Sequence, residues 1–173
     1  MGMYTEFVFA VELYTEAIEQ DGAIDILKYM VRDIDDEPKN LPDHPFFKAE
    51  RWKYLFTMDS SYFPGQTHSD LTCKHGYTYL TVRSNLKNYD FEIQLFLDWI
   101  IPYIVYARGE CFGYFRYEEY DDPWLIYINN LAIYSPVMIR KFTDSRACEF
   151  VPLVEFLPDK WHEWKREKEV EEC

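Results

Sequence analysis

A helix that is apolar around nearly its whole circumference cannot lie on a surface, and residues 89–101 read as such a helix. At about 100° per residue, Asp90, Gln94 and Asp98 share one narrow stripe, while Phe91, Ile93, Leu95, Phe96, Leu97, Trp99 and Ile100 fill most of the remainder. One covering layer is not enough for it. A sheet supplies one side, and a second helix or a partner subunit has to supply another. Pro102 lacks an N–H and ends or bends the helix. Upstream, Tyr77-Thr78-Tyr79-Leu80-Thr81-Val82 has the β-branched and aromatic content of a half-buried strand. Residues 83–88 then supply turn formers. Asn88 is placed to accept a hydrogen bond from a free N–H of the following helix, with Asp90 and Glu92 complementing its dipole.

The remaining segments are ordered around this pair. Residues 4–13 predict a central strand, apolar on both faces in its middle. A helix follows to about Ile34, capped by Asp21, with Ile24, Leu27 and Val31 on its apolar face. Three prolines between residues 37 and 50 predict a surface loop. Residues 51–58 read as the next strand, residues 68–75 as a polar loop, and residues 111–117 and 124–128 as a hairpin with an acidic tip. The apolar runs at 131–142 and 150–157 each contain a proline and predict edge strands or covering segments, followed by a charged helix around Trp161 and Trp164. Strand, helix, strand, strand, helix, strand is the split βαβ order of a ferredoxin-like α+β sandwich. The expectation is a βαββαβ antiparallel core over residues 3–130, with an extra hairpin strand, and a C-terminal extension over residues 131–173.

Charge removes whole classes of function. The chain carries 31 acidic against 18 basic residues, a formal net charge of −13. Affinity for phosphate backbones and anionic lipid needs clustered Lys and Arg, so direct nucleic-acid and membrane partners are not expected. No apolar run is long enough to span a bilayer, and no secretory leader pattern opens the chain. Cys73, Cys111, Cys148 and Cys173 are widely spaced without a CxxC pair, which favours reduced thiols and a cytoplasmic setting. Neither a GxSxG elbow nor a Gly-rich phosphate loop is present, and no cofactor is expected. His68, Asp70 and His75 are the one gathering of candidate ligands or acid-base groups, although their spacing matches no zinc pattern. No catalytic or metal residue is assigned, but a hydrolase-type use of this loop is kept as an alternative.

Aromatic residues are in excess. Five Trp, 15 Tyr and 13 Phe make 19% of the chain, more than one core of this size needs. A sheet covered by helices on one face only would leave some of them exposed for a protein interface or for self-association, most simply as a homodimer. Alternatively, the C-terminal extension folds over that face and buries them. The candidate partner-binding residues are the acids Asp33, Asp35, Asp36, Glu37, Glu118, Glu119, Asp121 and Asp122, which would steer toward a basic protein surface, with Tyr114 and Tyr117 as anchors. A rival reading is a nucleotide-like small molecule stacked on aromatics, with Arg83 or Arg116 holding its phosphate.

The segment from Arg83 to Tyr89, followed by Leu97-Asp98-Trp99-Ile100 and Pro102-Tyr103-Ile104, resembles a recurrent element of small proteins from bacteriophages and mobile elements. Ile24-Asp25-Ile26-Leu27-Lys28-Tyr29-Met30 fits the same likeness, which covers roughly residues 3–130. Its motif is structural and carries no active site across. What the resemblance implies is a phage-encoded protein that binds and disables a host protein, such as a defence or nucleic-acid-binding factor.

Overall fold

The computed structural model describes residues 4–58, 68–107, 109–128, 137–141 and 150–171. Its backbone is an α+β arrangement. Among the described residues eight strands form one sheet: β1 (Thr5–Leu13), β2 (Asp70–Lys74), β3 (Tyr77–Leu86), β4 (Ile104–Val105), β5 (Cys111–Tyr117), β6 (Trp124–Ile128), β7 (Val137–Lys141) and β8 (Phe150–Pro152). The helices are α1 (Thr15–Gln20), α2 (Ala23–Met30), α3 (Pro45–Lys48), α4 (Glu92–Ile100) and α5 (Asp159–Glu171). The sheet order is β2-β3-β1-β5-β6-β7-β8, with β4 also paired to β1, and every ladder is antiparallel.

Strand β1 is interior, paired with β3 on one edge and with β4 and β5 on the other, and its alternation is strict. Thr5, Phe7, Phe9, Val11 and Leu13 are buried on the inner face, and Glu6, Val8, Ala10 and Glu12 point the other way. Its partner β3 matches it, burying Thr78, Leu80, Val82, Ser84 and Leu86 and exposing Tyr77, Tyr79, Thr81 and Arg83. The strand therefore runs four residues past Val82, through what the sequence suggested was a turn.

Helix α4 sits on the inner face, where Phe96 makes edge contacts with Phe7 and Phe9 at 6.2 and 5.9 Å between ring centroids. Its other side is covered by the chain itself. Phe46 stacks on Trp99 at 5.7 Å, Phe47 meets Trp99 edge-on at 5.0 Å, and Phe56 meets Phe96 at 5.2 Å. The proline-rich stretch is thus no simple surface loop: His44 caps α3 by accepting from the Phe46 N–H, and Phe46 is fully buried. The polar stripe of α4 is a seam and not a solvent face. Asp98 accepts from the Trp161 indole at 2.6 Å and bonds His44 Nε2 at 3.0 Å, tying both α3 and α5 to α4.

Several expectations shift by one element. Residues 51–58 are not a strand: Trp52–Tyr54 is a 3-10 turn, and the buried Trp52, Leu55 and Phe56 recur at i, i+3 and i+4, a helical spacing. The second strand lies instead in the supposed polar loop, where β2 and β3 are joined by His75 and Gly76 with φ of +54° and +83°, the left-handed pair of a two-residue hairpin. Asp21 caps the end of α1 and does not start α2, because Gly22 at φ +70° breaks the helix in two. Asp21 instead accepts from the Tyr103 hydroxyl at 3.1 Å; burial, reinforced by that carboxylate, pushes the hydroxyl up to about 12.

Among the described residues, the C-terminal segments do not fold over the outer sheet face. β7 and β8 continue the sheet, and α5 packs on the helix side, where Trp161 is buried and Trp164 meets the His44 ring at 4.9 Å. The apolar stretch 129–136 and residues 142–149 lie outside the described residues.

Glu92, in the first turn of α4, is fully buried. Its Oε2 accepts from the Asp90 N–H at 3.0 Å, and its Oε1 has no hydrogen-bond partner. Burial raises its pKa above the ordinary 4.5, outweighing the backbone N–H groups that favour the anion. A folded-state pKa above the unfolded one means stability that is complete at acid pH and is lost as pH rises through the raised value. Glu92→Gln, which keeps the shape and cannot ionise, is expected to be more stable than the parent at neutral pH. The gain should vanish near pH ~4, below the unfolded value. Urea titrations at the two pH values measure this, and an equal difference at both would refute it.

Candidate binding surfaces

The β5–β6 hairpin divides its aromatics between two faces. In a strand, residues three apart point in opposite directions, so Tyr114 and Tyr117 are not one anchor pair. Tyr114 lies on the outer face, opposite Val8, and donates its hydroxyl to Glu6 at 3.2 Å. Arg116, on the same face, pairs with the other oxygen of Glu6, also at 3.2 Å. Arg83 is exposed on this face as well and lies opposite Val8 across β3. The two arginines proposed for a phosphate therefore share the outer face on either side of β1, and Glu6 already pairs with Arg116 as a competing anion. Burial, then the Glu6 charge, raises the Tyr114 hydroxyl, so it stays a donor.

Further along the outer face, Tyr77 and Tyr79 are exposed and stacked at 6.4 Å. Beside them β1 changes partner, from β5 up to Phe9 to β4 at Glu12, and a shallow cleft of about 510 Å3 opens there. It is lined by Ala10, Glu12, Tyr79, Thr81, Tyr106 and Glu110 among others.

The inner-facing end of the hairpin builds a different site. Tyr117 lies opposite Thr5, at the start of β1, and meets Tyr120 edge-on at 5.4 Å. Trp124 stacks on Phe115 at 6.5 Å and meets Phe156 edge-on at 5.1 Å. Together with Tyr89, Phe91 and Gln94 from the entry to α4, these rings line a pocket of about 310 Å3. The entry is held by Asn88, which accepts from the Ile93 N–H at 2.9 Å and donates its amide to Gln94 Oε1 at 2.9 Å. Phe91 adopts a left-handed backbone at φ +60°, a conformation an aromatic side chain rarely takes, and is exposed in spite of its size.

The acids flank this pocket. Glu118, Glu119 and Asp121 are exposed in the β5–β6 turn and Asp122 is half-buried there, with the Glu118 N–H bonded to the Tyr4 carbonyl at 3.0 Å. Burial, followed by the charges of Glu119 and Glu118, raises the Tyr117 hydroxyl above the usual range. No family model matches this chain, and neither does any curated protein or any solved structure.

Asp33, Asp35, Asp36 and Glu37 form the second acidic cluster, exposed after α2. Glu37 takes Lys53 at 3.2 Å, so one of these charges is already answered within the chain. Among the described residues no hydrogen bond or ion pair joins this cluster to the hairpin acids. The candidate histidines lie at opposite ends of one strand. His68 precedes β2 and His75 follows it, and five extended residues separate them by roughly 17 Å or more. Among the described residues no group of three or more His, Cys, Asp or Glu side chains is set to hold a metal ion. Cys73 and Cys111 are free and exposed; Cys148 and Cys173 lie outside the described residues. No helix among the described residues is long and apolar enough to cross a membrane.

Sequence reasoning had the aromatic excess and the acidic tip, but not the pocket between them. Tyr117, Tyr120 and Trp124 flank the tip at short spacing, a signal that was available. Tyr89, Phe91 and Phe156 join them only through tertiary packing.

Proposed function

We propose that this chain is a non-enzymatic, acidic binding protein that engages a Lys/Arg-rich surface of another protein by charge mimicry of nucleic acid. The observation that carries it is the β5–β6 turn, where exposed Glu118, Glu119 and Asp121 stand beside half-exposed aromatic rings. Carboxylates at a rim raise the encounter rate with a basic surface, and adjacent aromatics supply the desolvated contact area that charge alone does not. The net charge of −13 extends the attraction beyond the contact itself. Within this reading the protein is phage-encoded, works in the host cytoplasm on a basic defence or nucleic-acid-binding factor, and has a ferredoxin-like core. The order β2-β3-β1-β5 with helices in the two crossovers supports that core. Self-association as a homodimer belongs to the same proposal and now draws on one feature, the exposed tyrosines of the outer face, since α4 is covered by its own chain.

Capture of partners from host lysate at low and moderate salt tests the function. Basic proteins that normally hold nucleic acid should be recovered at low salt, and their yield should fall about tenfold or more as the Debye length shrinks. Recovery of a tightly held nucleotide with no basic protein would overturn it.

A further inference from the structure

We infer that the pocket between the α4 entry and the β5–β6 hairpin is an aromatic cage for one cationic side-chain head group, the ammonium of a lysine, free or methylated, or the guanidinium of an arginine. This deepens the function proposed above and rests on it for the source of the cation. Three features of the pocket select that chemistry. The first is wall geometry: the Tyr117–Tyr120 and Trp124–Phe156 pairs, all four rings lining the pocket, meet at 61° and 75°, so its wall is made of angled corners and not of one flat stack. Ring faces carry the negative lobe of the aromatic quadrupole, and a cation within about 6 Å of them is attracted, most strongly when desolvated. The second is charge. Exposed Glu118 and Glu119 follow Tyr117 directly in the β5–β6 turn, and none of the residues lining the pocket is basic.

The third feature is size and access. A volume of about 310 Å3 is at the small end of ligand sites and accommodates one head group with its stem. Tyr89 and Tyr120 are about half exposed, at 55% and 53%, so the mouth is open in the isolated protein. The Arg51 guanidinium lies 6.0 Å from the Tyr89 centroid, so this ring already faces one cation of the chain itself, and the remaining rings carry the selectivity. Both arginines of the small-molecule reading, Arg83 and Arg116, are on the other face of the sheet and supply nothing here.

The test uses the whole chain and three probes: Nα-acetyl-trimethyllysine amide, Nα-acetylarginine amide, and uncharged Nα-acetylnorleucine amide. The readout is the indole N–H resonance of Trp124, assigned by its absence from Trp124→Phe. Saturable shifts are expected with both cations, with the norleucine probe about tenfold weaker or more. Tyr120→Ala, in an exposed turn, and Tyr89→Ala should each weaken the cations about fivefold, whereas Tyr79→Ala on the outer face should change nothing. Equal binding of the uncharged probe, or full binding by both cage variants, would overturn the assignment. Lysate capture then separates the two proposals. Basic partners retained by Tyr120→Ala at wild-type yield would remove the cage and leave the acidic binding function standing. Cation binding by the wild type with no basic protein captured would leave the cage standing and remove the function.

Discussion

Gly113→Ala is expected to lower the stability of this protein by about 4 kcal/mol, the sum of backbone strain and overpacking that each cost roughly 1–3 kcal/mol. Gly113 sits where β5 carries one extra residue: Cys111 lies opposite Tyr127 and Gly113 opposite Ile126, leaving Phe112 to bulge. Its φ of +150° disfavours any side chain, and a Cβ built there would come within 1.9 Å of the Val8 carbonyl oxygen. That oxygen is backbone of the central strand, so relief requires β1 and β5 to move apart. Gly76→Ala is the internal control. Gly76 also has positive φ, +83°, but nothing lies within 4 Å of its Cβ position, so it should lose only about 1 kcal/mol. Urea denaturation of the two variants decides the matter, and equal losses would show that close approach is not what keeps Gly113.

Removing the ring at the centre of the core should cost as much. Phe96 is fully buried and meets Phe7, Phe9, Phe46, Phe56 and Trp99 at centroid distances between 5.2 and 6.2 Å. Phe96→Ala deletes the side chain where sheet, α4 and the 45–56 segment meet, leaving a cavity that a sheet on one side cannot close, and a loss of about 3–5 kcal/mol is expected. Against a total stability of roughly 5–15 kcal/mol, that brings the chain near unfolding. A shift below about 1 kcal/mol in the same titration would mean that the site collapses and that these rings do not hold one another in place.

What could be read from the sequence was whatever repeats with a period. The alternation of β3 and the near-complete apolar girth of α4 placed a strand and its covering helix, because burial imposes those periods directly, whereas β1 reads as apolar on both faces and its strict alternation shows only in the fold. Errors came where one signal imitated another. Trp52, Leu55 and Phe56 are apolar enough for a strand but are spaced for a helical turn, and β2 looked polar because only Leu71 of its five residues is buried. Asp98 marked a polar stripe correctly, yet its meaning depended on His44 and Trp161, 54 and 63 residues away. The candidate site split the same way. Its acids are local and legible, whereas the opposite facing of Tyr114 and Tyr117 follows from strand parity that a list of aromatic residues ignores. The left-handed backbone at Phe91 has no sequence signature, since a bulky residue is the last that composition would place there.

The position of β1 in the sheet has a consequence for the chain while it is being made. This first strand hydrogen-bonds β3 along one edge and β4 and β5 along the other, so its neighbours are encoded at residues 77–86 and 104–117. Translation at roughly 5–20 residues per second leaves the nascent strand without its first neighbour for several seconds, and without its second for longer still. Throughout that interval Phe7, Phe9, Val11 and Leu13 have no sheet to join and both edges can template a foreign strand. Low temperature, which slows elongation, or high expression, which crowds nascent chains, should drive this protein into aggregates through its N-terminal strand. Holdase chaperones that shield the first twenty or so residues should suppress them.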